Sequence, residues 1–199
     1  MSHLRPALVL LVLFTALTGL AYPYAVAGIG QYAFPAQANG SLIVVDDKIL
    51  GSDLIGQNFT SDGHLWPRPS ATTAADPADA SKTVDAPYNA AASTGSNLGP
   101  TSQKLAERLT ASAEAWRSAG LPGPIPGDAI TTSGSGLDPH ISPAYARAQV
   151  PRIAAAHNIP EAWVNRIIGN FVEGPLFGLF GEPRVNVLRV NHALDQMSP

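Results

Sequence analysis

The chain has 199 residues, roughly one to one and a half domains' worth, and its 12 Lys plus Arg against 15 Asp plus Glu give a net charge of −3. Neutralising phosphates requires clustered basic side chains, so nucleic-acid binding is set aside. The absence of cysteine excludes disulfide scaffolds, thiolate metal sites and cysteine nucleophiles.

After Arg5 the next charged side chain is Asp46. Inside that gap Leu8 to Ala27 reads LVLLVLFTALTGLAYPYAVA, and twenty helical residues span about 30 Å, the hydrocarbon thickness of a bilayer. Thr15 and Thr18 can bond back to helix carbonyls, and Pro23 lies near the far end, where a kink is tolerated. Tyr22, Tyr24, Tyr32 and Phe34 suit an aromatic belt, and the amino terminus with Arg5 places the start of the chain in the cytoplasm. Small residues Ala16, Gly19, Ala25, Ala27 and Gly28 allow close packing against another membrane helix. The rival reading is a cleaved signal peptide, with Ala25-Val26-Ala27 preceding Gly28, although the apolar run is long for one. Both readings export the rest of the chain.

The expected organisation is a cytoplasmic end and single membrane helix (about residues 8–27) within residues 1–34. An α+β extracytoplasmic domain follows over 35–199. Asn39-Gly40 is a turn signal, Ser41–Val45 is β-branched and apolar, and Asp46-Asp47-Lys48 is turn-like before Ile49 and Leu50. Residues 71–97, rich in Ala, Asp, Ser, Thr and Pro, read as a long flexible loop. Thr101 to Ala119 is the clearest helix, stopped by Gly120, and Leu121–Gly127 (LPGPIPG) cannot be helical. Ser142-Pro143 caps a helix that Pro151 interrupts, and Pro160 opens another with Val164, Ile167, Ile168 and Phe171 facing a core. Val185–Val190 alternates as a late strand, with a short helical end around Ala193.

Chemistry is sparse. There is no phosphate-cradling loop, and the five histidines lack metal-ligand spacing. Ser133, Ser135, Asp138 and His140 crowd into TTSGSGLDPHISP, yet Gly134-Ser135-Gly136 is not a nucleophile elbow. A Gly-Ser turn leading to the Ser142 cap is the plainer reading. A periplasmic hydrolase using Ser135 and His140, or a freestanding membrane-anchored binding protein, stays as an alternative. Gln149 and Arg152 around Pro151 read as a hydrogen-bonded junction, and Glu182 and Arg184 around Pro183 as a local or interface ion pair.

The blocks LRPAL, FPAQANGSL (Phe34–Leu42), GSDLIGQNF (Gly51–Phe59), RPSA (Arg68–Ala71), GSNLGPT (Gly95–Thr101), SGSGLDPHISP (Ser133–Pro143), QVPR (Gln149–Arg152) and GEPRVNVLRVNHALD (Gly181–Asp195) resemble, in order and spacing, the C subunit of the Kdp potassium-transporting P-type ATPase. Ala71–Asp85 is longer than that pattern, and His192 stands where an apolar residue is usual. The resemblance implies a retained single-pass helix in the bacterial inner membrane and a periplasmic domain. It implies a non-catalytic accessory subunit, required for assembly, that acts as a catalytic chaperone raising the ATP affinity of the ATP-hydrolysing B subunit. The implied partners are that subunit, the potassium-binding A subunit, the small F subunit and the lipid bilayer. No intrinsic cofactor is implied; ATP acts through the complex and potassium is the cargo. Gln57 is the candidate nucleotide contact. Asn58, Arg68, Asn97, Asp138, Gln149, Arg152, Glu182, Arg184, Asn186 and Asn191 are the family-motif candidates for interfaces.

Overall fold

The structure, a computed structural model, describes residues 3–121 and 123–197. It divides into two units, Met1–Ser52 and Asp53–Pro199.

The first unit begins with a helical run over Leu4–Ala33, long and apolar enough to cross a membrane. It comprises α1 (Leu4–Ala16), a π-helical turn (Leu17–Ala21) and α2 (Tyr22–Ala33). The π turn has a local cause. Pro23 has no amide to donate, and one wide turn just before it re-pairs the ladder, the Tyr22 amide reaching back to the Leu17 carbonyl. Thr18 Oγ1 donates to the Phe14 carbonyl at 2.7 Å, which satisfies its hydroxyl within the apolar helix. A single turn, α3 (Pro35–Ala38), leads to Asn39-Gly40, where Gly40 (φ +85°) turns the chain into β1 (Leu42–Val45). The hairpin turn comes one strand later than this dipeptide. β1 pairs antiparallel with β2 (Lys48–Ser52) across Asp46 and Asp47, both at positive φ, in the manner of a type I′ turn. This hairpin, expected with the soluble domain, belongs to the helix-bearing unit.

In the second unit, a largely irregular stretch from Asp53 to Thr72 precedes a small antiparallel hairpin, β3 (Thr73–Ala75) with β4 (Thr83–Asp85). The expected loop over 71–97 therefore contains sheet, registered by Asp79, whose carboxylate accepts from the Ser81 amide and hydroxyl. Helix α4 (Gln103–Ser118) ends at Gly120 (φ +67°), as the sequence indicates, and buries Trp116. After α5 (Gly127–Ile130) comes β5 (His140–Ile141). Ser142 then caps α6 (Pro143–Ala148), accepting from the Tyr145 amide at 3.0 Å. α7 (Val150–His157) restarts with Pro151 in its first turn and ends at left-handed Asn158. α8 (Glu161–Asn170), β6 (Val172–Glu173), β7 (Arg184–Asn186) and α9 (Val187–Asp195) complete the unit, and the sheet order is β5-β7-β6, antiparallel throughout.

The strand expected over 185–190 stops at Asn186. Its side chain accepts from the Arg189 amide and so caps a helix. Val187, Leu188, Val190 and Leu194 then bury one face at helical spacing. The core gathers Leu65, Trp116, Ile141, Tyr145, Val150, Ile153, Val164, Ile168, Val185 and Val190 from helices and sheet alike. The mixed α+β class is as expected.

Candidate functional site

Two polar constructions account for most of the motif residues of the second unit. The first holds the strap at 61–66 against the helices. Gln149, at the α6–α7 junction, is fully buried. Its Oε1 accepts from the Trp66 amide at 2.8 Å, and its Nε2 donates to the Trp66 carbonyl at 3.1 Å. Arg152, one turn on, donates to the carbonyls of Ser61, Asp62 and His64 and to Gln149 Oε1. Its guanidinium lies 3.7 Å from the centre of the Trp66 ring, a cation–π contact. Burial pulls Arg152 down to about 10, which leaves it charged at neutral pH. Asn191 in α9 repeats the device, Oδ1 accepting from the Leu65 amide at 2.7 Å and Nδ2 donating to its carbonyl at 3.0 Å. Proline junction and strap interlock because each buried amide needs a partner. This is the hydrogen-bonded junction expected around Pro151.

The second construction is an open cavity of about 500 Å³ lined by Arg68, Asp128, Asp138, His140, Ser142, Glu182 and Arg184 among others. Arg68 donates to Asp138 Oδ2 at 3.1 Å and to the Thr132 carbonyl at 3.2 Å. Asp138 Oδ1 accepts the His140 amide at 3.0 Å. Burial alone would raise the Asp138 carboxyl, but hydrogen bonds from His140 and the Arg68 guanidinium outweigh it and hold the carboxyl below its ordinary 3.8. Asp128 accepts from the Ser142 amide and hydroxyl at 2.6 and 3.1 Å. The cavity thus carries both signs of charge, with its carboxylates at 128 and 138 already engaged.

A depressed carboxyl contributes stability that is present above its unfolded value and lost as pH falls through the folded one. Asp138 and Asp53, the latter held low by its bonds to Arg189 against a smaller burial cost, both act in this sense. Urea unfolding of the full-length chain in detergent should therefore show a midpoint that is flat from pH 7 to 5 and falls below about pH 4. Arg68→Met should flatten part of that fall, and equal midpoints at pH 5 and 3 would contradict it.

Arg68, Asp138, Glu182 and Arg184 meet at the cavity. Arg184 pairs with Glu173 at 2.9 Å, the pairing expected with Glu182 being replaced because β6 and β7 bring 173 opposite 184. Asn186 lies apart, donating to the Asp53 carbonyl at 3.0 Å. Gln57 is half-buried, while Asn58 and Asn97 are exposed, Asn97 at φ +51°. Ser133 Oγ accepts from the Gly136 amide and Ser135 Oγ from the Leu137 amide: the Gly-Ser turn of the plainer reading. No cluster able to hold a metal occurs among the described residues.

Sequence reasoning passed over Asp128, the Arg189–Asp53 ion pair, and His64 with Asp195, 2.7 Å apart. Their partners lie 14, 136 and 131 positions away, beyond any local pattern. Gly56 offered one signal: a Cβ there would stand 2.5 Å from the Tyr88 ring and 2.6 Å from the Asp138 carbonyl, so GQNF marks a close approach.

A family model described as KdpC, K+-transporting ATPase, c chain, matches residues 4–196. The chain is 58% identical over 194 residues to the potassium-transporting ATPase KdpC subunit of Methylorubrum extorquens, covering 98% of this chain and 96% of that one. It is 56% identical to the protein of the same name from Methylobacterium nodulans, covering 100% and 98%. It is 55% identical to that of Bradyrhizobium diazoefficiens, covering 98% of each.

Proposed function

We propose, from the premise that this chain belongs to the KdpC family of K+-transporting ATPase c chains, that it is a non-catalytic accessory subunit. It is held in the bacterial inner membrane by Leu4–Ala33, with the unit from Asp53 onward outside the cytoplasm. It assembles with the potassium-binding A subunit, the ATP-hydrolysing B subunit and the small F subunit, and it raises the ATP affinity of the B subunit as a catalytic chaperone. Ala16, Gly19, Ala27 and Gly28 line the helix packing surface; a Cβ at Gly19 or Gly28 would meet nothing within 4 Å, leaving room for a neighbouring helix.

One observation carries this reading. The motif residues Arg68, Gln149, Arg152, Asn186 and Asn191 are all spent on fixing backbone within one compact domain. Such a domain acts by where it docks. ATP and its hydrolysis lie on the cytoplasmic face, so in this reading Gln57 acts through the domain and not on the nucleotide. The effect on ATP is a coupling free energy transmitted through the membrane subunits, and about 1–3 kcal/mol gives a 5–150-fold change in affinity.

The test is the ATP dependence of potassium-stimulated hydrolysis by the reconstituted complex, assembled with this chain and compared before and after the chain is selectively removed. The expected result is a half-saturating ATP concentration raised about 5–150-fold without it, and unchanged by Gln57→Ala in the full complex. Equal ATP dependence with and without the chain would refute the chaperone role. Loss of affinity on Gln57→Ala alone would restore direct contact.

A further inference from the structure

The loop between β6 and β7, Gly174–Gly181, reads GPLFGLFG and carries no charge. Its four large side chains, Leu176, Phe177, Leu179 and Phe180, are 63%, 84%, 81% and 67% exposed. The loop is nonetheless tightly built. Leu176 and Phe180 exchange amide–carbonyl bonds at 2.8 and 3.0 Å, and the Gly178 amide donates to the Pro175 carbonyl at 2.9 Å. Phe177 sits at φ +53°, a conformation bulky side chains rarely accept. The chain holds an aromatic outward at a conformational cost, which marks functional positions more often than structural ones.

The root of this tip is fixed beside the start of the domain. Arg184 and Glu173 pair across its two strands at 2.9 Å, and Arg189 lies 3.8 Å from Glu173 while also pairing with Asp53. Asp53 directly follows the β1–β2 hairpin, in which Ser52 stands opposite Leu42, so the chain leaves that hairpin where it entered. Leu42 is only nine residues past Ala33, at most about 30 Å of extended chain. The point through which the domain is tethered and the root of its apolar tip therefore share one end of the domain, and Phe177 reaches at most about 13 Å beyond Glu173.

We propose that this tip dips into the outer-leaflet boundary of the bilayer that the N-terminal helix crosses, as a second membrane contact. Four side chains on a convex turn present about 500 Å², less than the roughly 800 Å² per partner of a stable protein interface. A bilayer needs no complementary shape, and side chains of this kind bury about 5–10 Å deep at the headgroup–acyl boundary. The helix supplies the high effective concentration that makes a small patch sufficient. Below the tip, Glu173, Arg184, Arg189 and Asp53 neutralise one another and exposed Glu182 adds one negative charge, so the contact is apolar and draws nothing from anionic lipid. The proposal goes beyond the subunit reading and rests on its membrane anchoring and on its placing the domain outside the cytoplasm.

The chain has no cysteine, so Phe177→Cys or Leu179→Cys in the full-length chain carries a single environment-sensitive fluorophore. Reconstituted into phosphatidylcholine vesicles, either label should be quenched several-fold more by lipid bearing a shallow acyl nitroxide than a label at Ser81→Cys on the β3–β4 turn. It should also resist aqueous iodide. Quenching by iodide equal to that of the Ser81 control would overturn the proposal. So would a label that is wet in vesicles but shielded from both quenchers in the assembled complex, since that assigns the tip to a protein partner. Flotation with the vesicles reads the anchor separately, and a chain that fails to float overturns anchor and tip together.

Discussion

Arg152→Met in the full-length chain should lower the stability of the Asp53–Pro199 unit by about 3–4 kcal/mol. The side chain is 9% exposed and satisfies three backbone carbonyls and Gln149 Oε1 at once. Methionine keeps the packing volume but leaves these acceptors in a partly dry site, each costing about 1–3 kcal/mol less whatever water recovers. It also removes the contact with Trp66. For a domain of this size the melting temperature should fall by roughly 10 °C, readable by tryptophan emission during heating in detergent. Gln149→Leu acts on the same bonds, so the double variant should lose distinctly less than the sum of the two. A loss under about 1 kcal/mol for Arg152→Met would mean that the strap is held mainly by apolar contacts.

Gly136→Ala should cost about 3 kcal/mol, from the left-handed conformation and from overpacking together. Gly136 has φ +69°, and a Cβ would stand 2.6 Å from Thr72 Cγ2 and 2.7 Å from the Thr94 carbonyl. Its own carbonyl accepts from Ser70 Oγ at 2.8 Å, so retreat on one side breaks a bond on the other. Gly134→Ala, two residues away, meets nothing within 4 Å and should shift the urea midpoint by no more than about 0.5 kcal/mol equivalent. If the two glycines responded alike, the turn would be far looser than its geometry indicates.

The membrane-length helix, the Ser142 cap, the break at Pro151 and the stop at Gly120 were legible because each depends on residues within a turn of one another. The late strand was misjudged for the same reason. Valines at 185 and 187 fit a two-residue period while 187 and 190 fit a helical one, so the short run is ambiguous and only the Asn186–Arg189 cap decides between them. The β3–β4 hairpin was hidden in a composition that resembles a loop, since pairing three residues a side leaves almost no hydrophobic signature. At the candidate site the motif residues were found individually, through resemblance, while their grouping was not. Arg68 meets Asp138 across 70 positions and Gln149 meets Trp66 across 83. Pairings of that separation are set by the packing of the whole domain and leave no local trace.

The same long separations fix the order in which the domain can be made. The strap residue Leu65 offers both its amide and its carbonyl to Asn191, His64 reaches Asp195, and Asp53 closes on Arg189. All three partners belong to the final helix. A chain synthesised from its amino terminus therefore presents the stretch from Asp53 to Leu65 with these partners still unmade, and its closure must wait for α9 to emerge. The strap is a latch whose catch is made after it, so loss of the turns of α9 should leave an open domain, exposed to proteases, in place of a slightly shortened one.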